Sequence, residues 1–463
     1  MKRILTLMLA ALAATSGAAH AAAERLRLHG SNTIGAKLAP ALVRAWAEDR
    51  GFSAVAERRS GESYAIDLVA EGDTIRVEIE AHGTSTGYAD LVAGRADIWM
   101  ASRPATPQEI GAAESSHGRL DAPEHEHVIA LDGLAILVHP DNPLAALSID
   151  AVARTFRGGI RDWSELGGVR GAIVIHARDD RSGTFDTFKT IVLRGAALDP
   201  RAKRYESSDQ LAAAVAADRN AIGFVGLASV GNAKALAISE SGTRPLAPDR
   251  LAVATEDYAL SRRLFLYHGR GATPLARDLV EFALGAAGQR VAERTGFVAQ
   301  EIRALAGARR DDIAGEYAQL TRGARRLSVN FRFSAAESFF DGKALRDVER
   351  LLTFLRRPDQ AHCELMLFGF ADGNESNPVQ AIVLSNDRAD YVAATLAERG
   401  VAARRIRGMG HAAPVASDAT AYGRARNRRV EVWIRDGDAN GAFAASSETR
   451  SSRTGNVAVV PAG

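Results

Sequence analysis

The chain has 463 residues, of which 46% are hydrophobic and 25% charged, and its formal net charge is +2. That length exceeds what one ordinary core organises, so two or three domains are expected, and so small a charge without a basic block argues against a nucleic-acid binder. The one cysteine, Cys363, cannot form an intrachain disulfide and lies in the apolar run 363–370, where a small core residue is a simpler reading than a nucleophile.

Lys2 and Arg3 precede the apolar stretch 4–14, and Ala19-His20-Ala21 places small residues at cleavage spacing. Residues 1–21 therefore read as a secretory signal peptide. Its apolar core is too short to span a bilayer as a mature helix, and no later stretch is long and apolar enough to do so. The mature chain is expected to be exported and soluble, without a transmembrane segment.

Residues 22–302 alternate short apolar strands with helical patterns, as an α/β domain does. The first polar turn, Gly30-Ser31-Asn32-Thr33, lies between a strand and a helical pattern carrying Leu38, Leu42 and Trp46. A second, Gly83-Thr84-Ser85-Thr86-Gly87, leads into Tyr88 and Leu91, and a third, Ser102-Arg103, closes a strand that begins near Ile98. The most informative stretch is 172–189. Ile173, Val174 and Ile175 read as a buried strand, and Phe185, Phe188, Ile191 and Val192 recur at the spacing of a core-facing helix. Between them Arg178 offers a cationic fork, Ser182 and Thr184 offer hydroxyls, and Gly183 permits close approach of a ligand to the backbone. The unpaired N–H groups of the helix start would favour an anion at the same spot, although a plain Ser/Thr N-cap beside a surface arginine explains the stretch equally well. Ligands of open α/β sheets lie beyond the carboxyl ends of strands, so loops of this kind can converge on one site. Residues 137–141 and 254–258 are candidate crossings between two lobes, with a middle lobe at about 140–252.

The segment 303–325, rich in Arg, Ala and Gly, reads as a linker. Residues 326–436 then give a strand at 327–333, a helix at 345–355 with Leu345, Val348, Leu351, Leu352 and Leu355 on one face, a strand at 363–370, a helix at 387–399 and strands at 405–409 and 429–434. That order fits an α+β sandwich. The tail 437–463 has little to bury and reads as disordered. No catalytic set, metal-ligand spacing or cofactor motif stands out. Ser182 lacks an obvious activating base, although His176 lies on the same strand face as Arg178. A serine hydrolase or phosphatase is thus an alternative, as is a cell-envelope structural protein with a degenerate ligand lobe.

With those motifs on the page, residues 26 to about 300 resemble the phosphate-binding component of the phosphate ABC transporter, a two-lobed type II periplasmic binding protein. The likeness rests on Gly-Ser-x-Thr at 30–33, Gly-x-Ser-x-Gly at 83–87, Ala-Ser-Arg at 101–103, and Arg-x-x-x-Ser-Gly-Thr at 178–184, with Asp132-Gly133 and Ala-Ile-Gly-Phe-Val-Gly at 221–226 in support. It implies that two lobes close on inorganic phosphate or a similar oxyanion, held by Ser31, Thr33, Ser85, Ser102, Arg103, Arg178, Ser182, Gly183 and Thr184, with an ABC permease as a further partner. Well-known members carry an aspartate at the position of Arg103, where it accepts the proton that phosphate keeps. Arginine has no acceptor, so phosphate, sulfate and related oxyanions stay open here, with Asp179 or Asp180 as substitute acceptors that solvent exposure explains as well.

Residues 327 to about 435 resemble the OmpA-like peptidoglycan-binding domain. The motifs are Phe368-Gly369-Phe370-Ala371-Asp372, Leu384-Ser385-x-x-Arg388-Ala389, Gly408-Met409-Gly410 and Asn427-Arg428-Arg429-Val430-Glu431. The likeness implies that Asp372 meets the ammonium and Arg388 the carboxylate of a diaminopimelate side chain; Arg429 reads as structural. The expected protein is tethered to the cell wall, at the outer membrane or elsewhere in the envelope, with its first domain free to open and close on the anion.

Overall fold

The computed structural model describes residues 24–61, 63–70, 73–180, 182–306, 315–333, 340, 342–360, 362–374 and 377–437. The signal-peptide reading, all but the first residue of the tail, and residues 307–314 of the linker lie outside them.

Strand Glu24–Gly30 runs parallel to Asp73–Glu80 and Ile98–Ala101, and two further antiparallel strands, Ser53–Ser60 and Ser63–Ala70, extend that edge. The central element is Glu126–Val138, an almost wholly buried strand of 13 residues. Its first half pairs antiparallel with Ser261–Tyr267, and its second half, from Leu134, pairs antiparallel with Ala221–Gly226. Beyond the latter lie Val174–Arg178 and Lys203–Tyr205, both parallel. One continuous strand thus serves two lobes, each with its own core: Leu28, Trp46, Ile66, Val77 and Leu279 in the first, and Ile136, Phe156, Phe188, Phe224 and Leu260 in the second. The change of partner falls at Gly133–Leu134, a few residues before the expected 137–141 crossing. The return falls at 258–261, where Tyr258 Oη donates to Leu134 O at 2.8 Å and Leu134 N donates to Leu260 O at 3.0 Å.

The C-terminal sheet has the order 304–306, 325–332, 429–436, 363–370, 405–408. Helices Gly342–Leu355 and Pro378–Ala397 cover one face through Val348, Leu351, Leu352, Val392 and Leu396. On the other face Tyr317, in helix Glu316–Thr321, packs with Phe368, Phe370 and Trp433. The segment expected to link the domains therefore adds an edge strand, paired with Leu327, and a covering helix to the second domain. Two further departures have local causes. Helix Pro378–Ala397 starts nine residues earlier than 387, because Asn377 caps the N–H groups of Val379 and Gln380 at 3.0 Å with Pro378 at its first position; Val379, Ile382 and Val383 are exposed, so its first turns lack an apolar stripe. Leu345 faces water, because the buried stripe of the preceding helix runs through Ala344, Val348, Leu351 and Leu352.

The domains do not hang freely from one another. Asp257, at the return crossing, accepts from Arg326 at 2.7 Å, Asn330 at 2.9 Å and Arg332 at 3.2 Å. The carbonyl of Thr255 accepts from Asn330 and Arg332, and those of Glu256 and Asp257 accept from Arg426. Arg426 also pairs with Glu240 of the second lobe at 2.5 Å, while Arg346 and Arg350 reach His127 at 2.8 Å and Gln300 at 2.9 Å on the first. Sequence periodicity holds no trace of this junction. Among the described residues no helix is long and apolar enough to cross a membrane.

Candidate functional site

The polar turns do meet. Gly83 N donates to Gly30 O at 2.8 Å and Ser31 N to Met100 O at 2.9 Å, which ties three strand ends of the first lobe together. Thr84 Oγ1 lies 3.2 Å from Ser102 Oγ and accepts from Ser102 N, also at 3.2 Å. From the second lobe, the start of helix Gly183–Ile191 closes on this cluster: a Cβ on Gly183 would lie 2.7 Å from Thr33 Oγ1, 3.1 Å from Thr33 N and 3.5 Å from Ser31 Oγ. Glycine is needed there because the backbone of one lobe comes within contact distance of the other. The N-terminal ends of the helical run from Ile34, of helix Thr84–Val92 and of helix Gly183–Ile191 thus converge, and their dipoles make positive potential without a net charge.

Two of the hydroxyls at this point are buried without a use: among the described residues Ser31 Oγ and Thr33 Oγ1 meet no hydrogen-bond partner, a state that costs about 1–3 kcal/mol for each buried polar group. Ser182 Oγ caps its own helix through Phe185 N at 3.4 Å. His176 does not serve it: its Nδ1 is 2.9 Å from Tyr205 Oη, and burial, helped by Lys203, lowers its pKa. The nucleophile reading of Ser182 therefore gains no base from this structure.

The cations take other places than the sequence suggested. Arg178 sits at a strand end paired with Tyr205, and its three nitrogens donate to Tyr205 O at 3.2 Å, Glu206 O at 2.7 Å and Ser208 Oγ. The fork lies along the neighbouring strand because the parallel pairing puts those carbonyls within its reach; it holds the 205–208 turn and is not directed at Ser31 and Thr33. Arg103 is held by both oxygens of Glu109 at 2.7 Å and touches Ser85 Oγ at 3.2 Å. That pair raises the arginine pKa, and it outweighs burial to hold the Glu109 carboxyl below the usual range. Arg103 is therefore a neutralised element of the wall. Asp180, one suggested substitute acceptor, pairs with Arg204 at 2.7 Å. Sequence reading missed Arg262, buried behind the cleft, which donates to Gly183 O at 2.9 Å and Thr187 Oγ1 and pairs with Asp132 at 2.6 Å. Asp132-Gly133 was the visible signal, but only pairing of the two strands brings Arg262 onto it.

In the C-terminal domain Asp372 lies two residues past strand Cys363–Phe370, and Arg388 lies on helix Pro378–Ala397. Both are buried. Asp372 accepts from Asn374 N at 2.9 Å and pairs with Arg428 at 2.7 Å, and Arg388 donates to Phe370 O at 3.3 Å. The strand end thus brings the carboxylate and the guanidinium to adjoining backbone. Arg429 is structural, wholly buried against Glu431 at 2.8 Å and over the Phe370 ring at 3.9 Å.

Comparison with known proteins matches the two parts separately. A family model described as a PBP superfamily domain matches residues 50–287, more than half of the chain, and one described as OmpA family matches residues 332–428. The phosphate-binding protein PstS of Bacillus subtilis is 28% identical over 216 residues, covering 46% of this chain and 68% of the relative. PstS of Pseudomonas aeruginosa strain PAO1 is 25% identical over 242 residues, 48% of this chain and 74% of the relative. An ABC-type phosphate transport receptor from Vibrio cholerae of known structure superposes with a TM-score of 0.46 at 22% identity, over 59% of this chain and 99% of its own.

Proposed function

The chain belongs to the PBP superfamily, and from that premise we propose that its two lobes bind inorganic phosphate or a closely related oxyanion at the meeting of the three helix starts. The single observation that carries this reading is the pair of buried hydroxyls, those of Ser31 and Thr33, which meet no partner among the described residues and are set against Gly183. An oxyanion placed there accepts from both, from Ser102, Ser182 and Thr184, and from the N–H groups of the helix starts, replacing water with aimed donors. Ser85 and Arg103 form the rim. Arg178 would have to leave the 205–208 turn to join, so the hydroxyls and helix starts are the principal ligands. PstS relatives at 25–28% identity support phosphate as the class of ligand. Calorimetry with phosphate on the full chain tests this: Ser31→Ala combined with Thr33→Ala should abolish measurable binding while the fold holds, and unaltered binding in that variant would refute the site.

The same reading places the protein in the cell envelope, with the C-terminal domain on peptidoglycan. Asp372 and Arg388 suit the ammonium and carboxylate of a zwitterionic side chain, provided that Arg428 yields Asp372 to the ligand. Delivery to an ABC permease would follow from the first domain. A sacculus pull-down tests the anchoring: Asp372→Ala and Arg388→Ala should each move the protein to the supernatant, and retention of both variants would show that the domain serves another partner.

A further inference from the structure

Three imidazoles lie together where the C-terminal domain meets the first lobe. His125 and His127 stand two residues apart at the start of strand Glu126–Val138, and His268 follows strand Ser261–Tyr267, which pairs with it. All three are more than nine-tenths buried. The His268 ring lies 5.8 Å from that of His125 and 4.8 Å from that of His127. His127 Nδ1 is 2.8 Å from an Arg346 nitrogen on helix Gly342–Leu355, its Nε2 is 3.1 Å from His268 Nε2, and His268 Nδ1 is 3.2 Å from Gly269 O.

One placement of protons satisfies this row. A guanidinium only donates, so His127 Nδ1 accepts from Arg346 and the ring carries its proton on Nε2. That proton is donated to His268 Nε2, and His268 keeps its own on Nδ1 for the Gly269 carbonyl. Both rings are then neutral. A proton added to His127 sets an N–H against the guanidinium, and one added to His268 sets two Nε2–H groups against each other at 3.1 Å. The surroundings give an imidazolium little help. Arg346 and Arg350 face the row from helix Gly342–Leu355, Arg277 and Glu281 from helix Pro274–Leu284, His125 and Glu124 from the chain before strand Glu126–Val138, and Arg119 and Arg270 from the flanking loops. Glu124 and Glu281 are exposed, and Asp347 is taken up by Lys343 and Arg350 at 2.5 and 2.8 Å. Burial, with the charges of His268 and Arg346, lowers the His127 pKa to about 3, and burial, with His125 and Arg277, lowers that of His268 against the pull of Gly269 and Glu281. Protons nevertheless reach the rings, because with Arg346 they line a cavity of about 710 Å³ at the junction.

We propose that the His127–His268 row is a proton-operated latch between the domains: neutral, it receives Arg346 and holds helix Gly342–Leu355 against the first lobe; protonated, it expels Arg346 and loosens the C-terminal domain. The sign follows from the depressed pKa values. The docked state binds fewer protons than the released one, so docking is full above the ordinary imidazole value of 6.5 and is lost as pH falls below it, by about ten-fold per pH unit for each ring that titrates.

Hydrogen exchange of the full chain, read at helix Gly342–Leu355 and corrected for the intrinsic pH dependence of exchange, tests the latch. Protection of the helix should fall by about ten-fold or more between pH 7.5 and 5. His127→Gln combined with His268→Gln keeps an acceptor for Arg346 without a titrating ring, and should leave protection at pH 7.5 in place while removing its decline. Arg346→Met, on a half-buried position that the second domain's core does not use, should show at pH 7.5 the loosened helix that the wild type shows at pH 5, and no further decline; it decides the matter if the double variant fails to fold. Wild-type protection that is flat from pH 7.5 to 5 overturns the latch. A decline that persists unchanged in both variants also overturns it, since the titrating groups would then lie elsewhere in the junction.

Discussion

Replacing Asp257 with alanine removes the carboxylate on which the domain junction converges. Its side chain is 4% exposed, and Arg326, Asn330 and Arg332 donate to it. Burial alone would raise its pKa, but Arg326, Arg429 and Arg332 outweigh burial and hold it well below the carboxylate range. Taking one partner from such a buried set leaves guanidinium groups in a desolvated place, which costs about 3–5 kcal/mol. The chain has two ways to meet that cost. It can stay docked and lose the whole amount in one unfolding transition, or it can release the C-terminal domain, which returns the arginines to water and limits the loss to the free energy of docking. Urea denaturation followed by fluorescence, together with small-angle scattering, separates the two: a large drop in midpoint at constant radius of gyration in the first case, a larger radius and two transitions in the second. A double-mutant cycle with Arg326→Met should give a coupling of about 1 kcal/mol or more. A loss under about 1 kcal/mol, with one transition and an unchanged radius, would refute the claim that this carboxylate holds the domains together.

Other outcomes follow from the same geometry. Gly183→Ala should weaken phosphate binding by at least about ten-fold, because the added methyl meets Thr33 Oγ1 at 2.7 Å and holds the lobes apart; calorimetry reads this directly, and an unchanged affinity would mean the lobes do not close at this point. Acid should loosen the junction: Glu256, raised by burial but pulled down more strongly by Arg263, Lys343 and Arg332, sits at about 2 against an ordinary 4.5. A depressed carboxyl adds stability that is present above pH 4.5 and lost as pH falls through about 2, here about 3 kcal/mol; Glu256→Gln should flatten that part of the stability-versus-pH curve. Arg178→Ala should leave the hydroxyl cluster intact and mobilise the 205–208 turn, so its effect on phosphate affinity should fall below that of the Ser31/Thr33 double variant when both are titrated side by side.

Much of the fold was legible because periodicity and turn chemistry are local. The β-branched run before Arg178, the hydroxyl- and glycine-rich turns at 30–33, 83–87 and 182–184, and the strand 363–370 each declare their element through neighbours a few residues away, and parallel α/β topology collects strand-end turns on one side. Helix Pro378–Ala397 escaped in its first turns because Val379, Ile382 and Val383 present no buried face, so only the Asn377-Pro378 cap marked its start. The direction of a long side chain is another matter. Arg178 and Arg103 carry the right charge at the right strand ends, yet the neighbouring strand and Glu109 claim them, and neither partner is near in the pattern that sequence reading uses. Arg262 is brought to Gly183 by a pairing across 79 residues, and Arg346 is set against His127 only when the domains dock. The clearest case is the junction. Asp257 and Arg326 are each an ordinary surface-type residue in sequence; it is docking that buries them together. The sequence by itself determined the elements, the two domains and the donor-rich turns, because these follow from local spacing, whereas which charges face the cleft, which neutralise one another and which bind the domains together was decided by tertiary structure, since electrostatic partnership depends on distance in space and on loss of water.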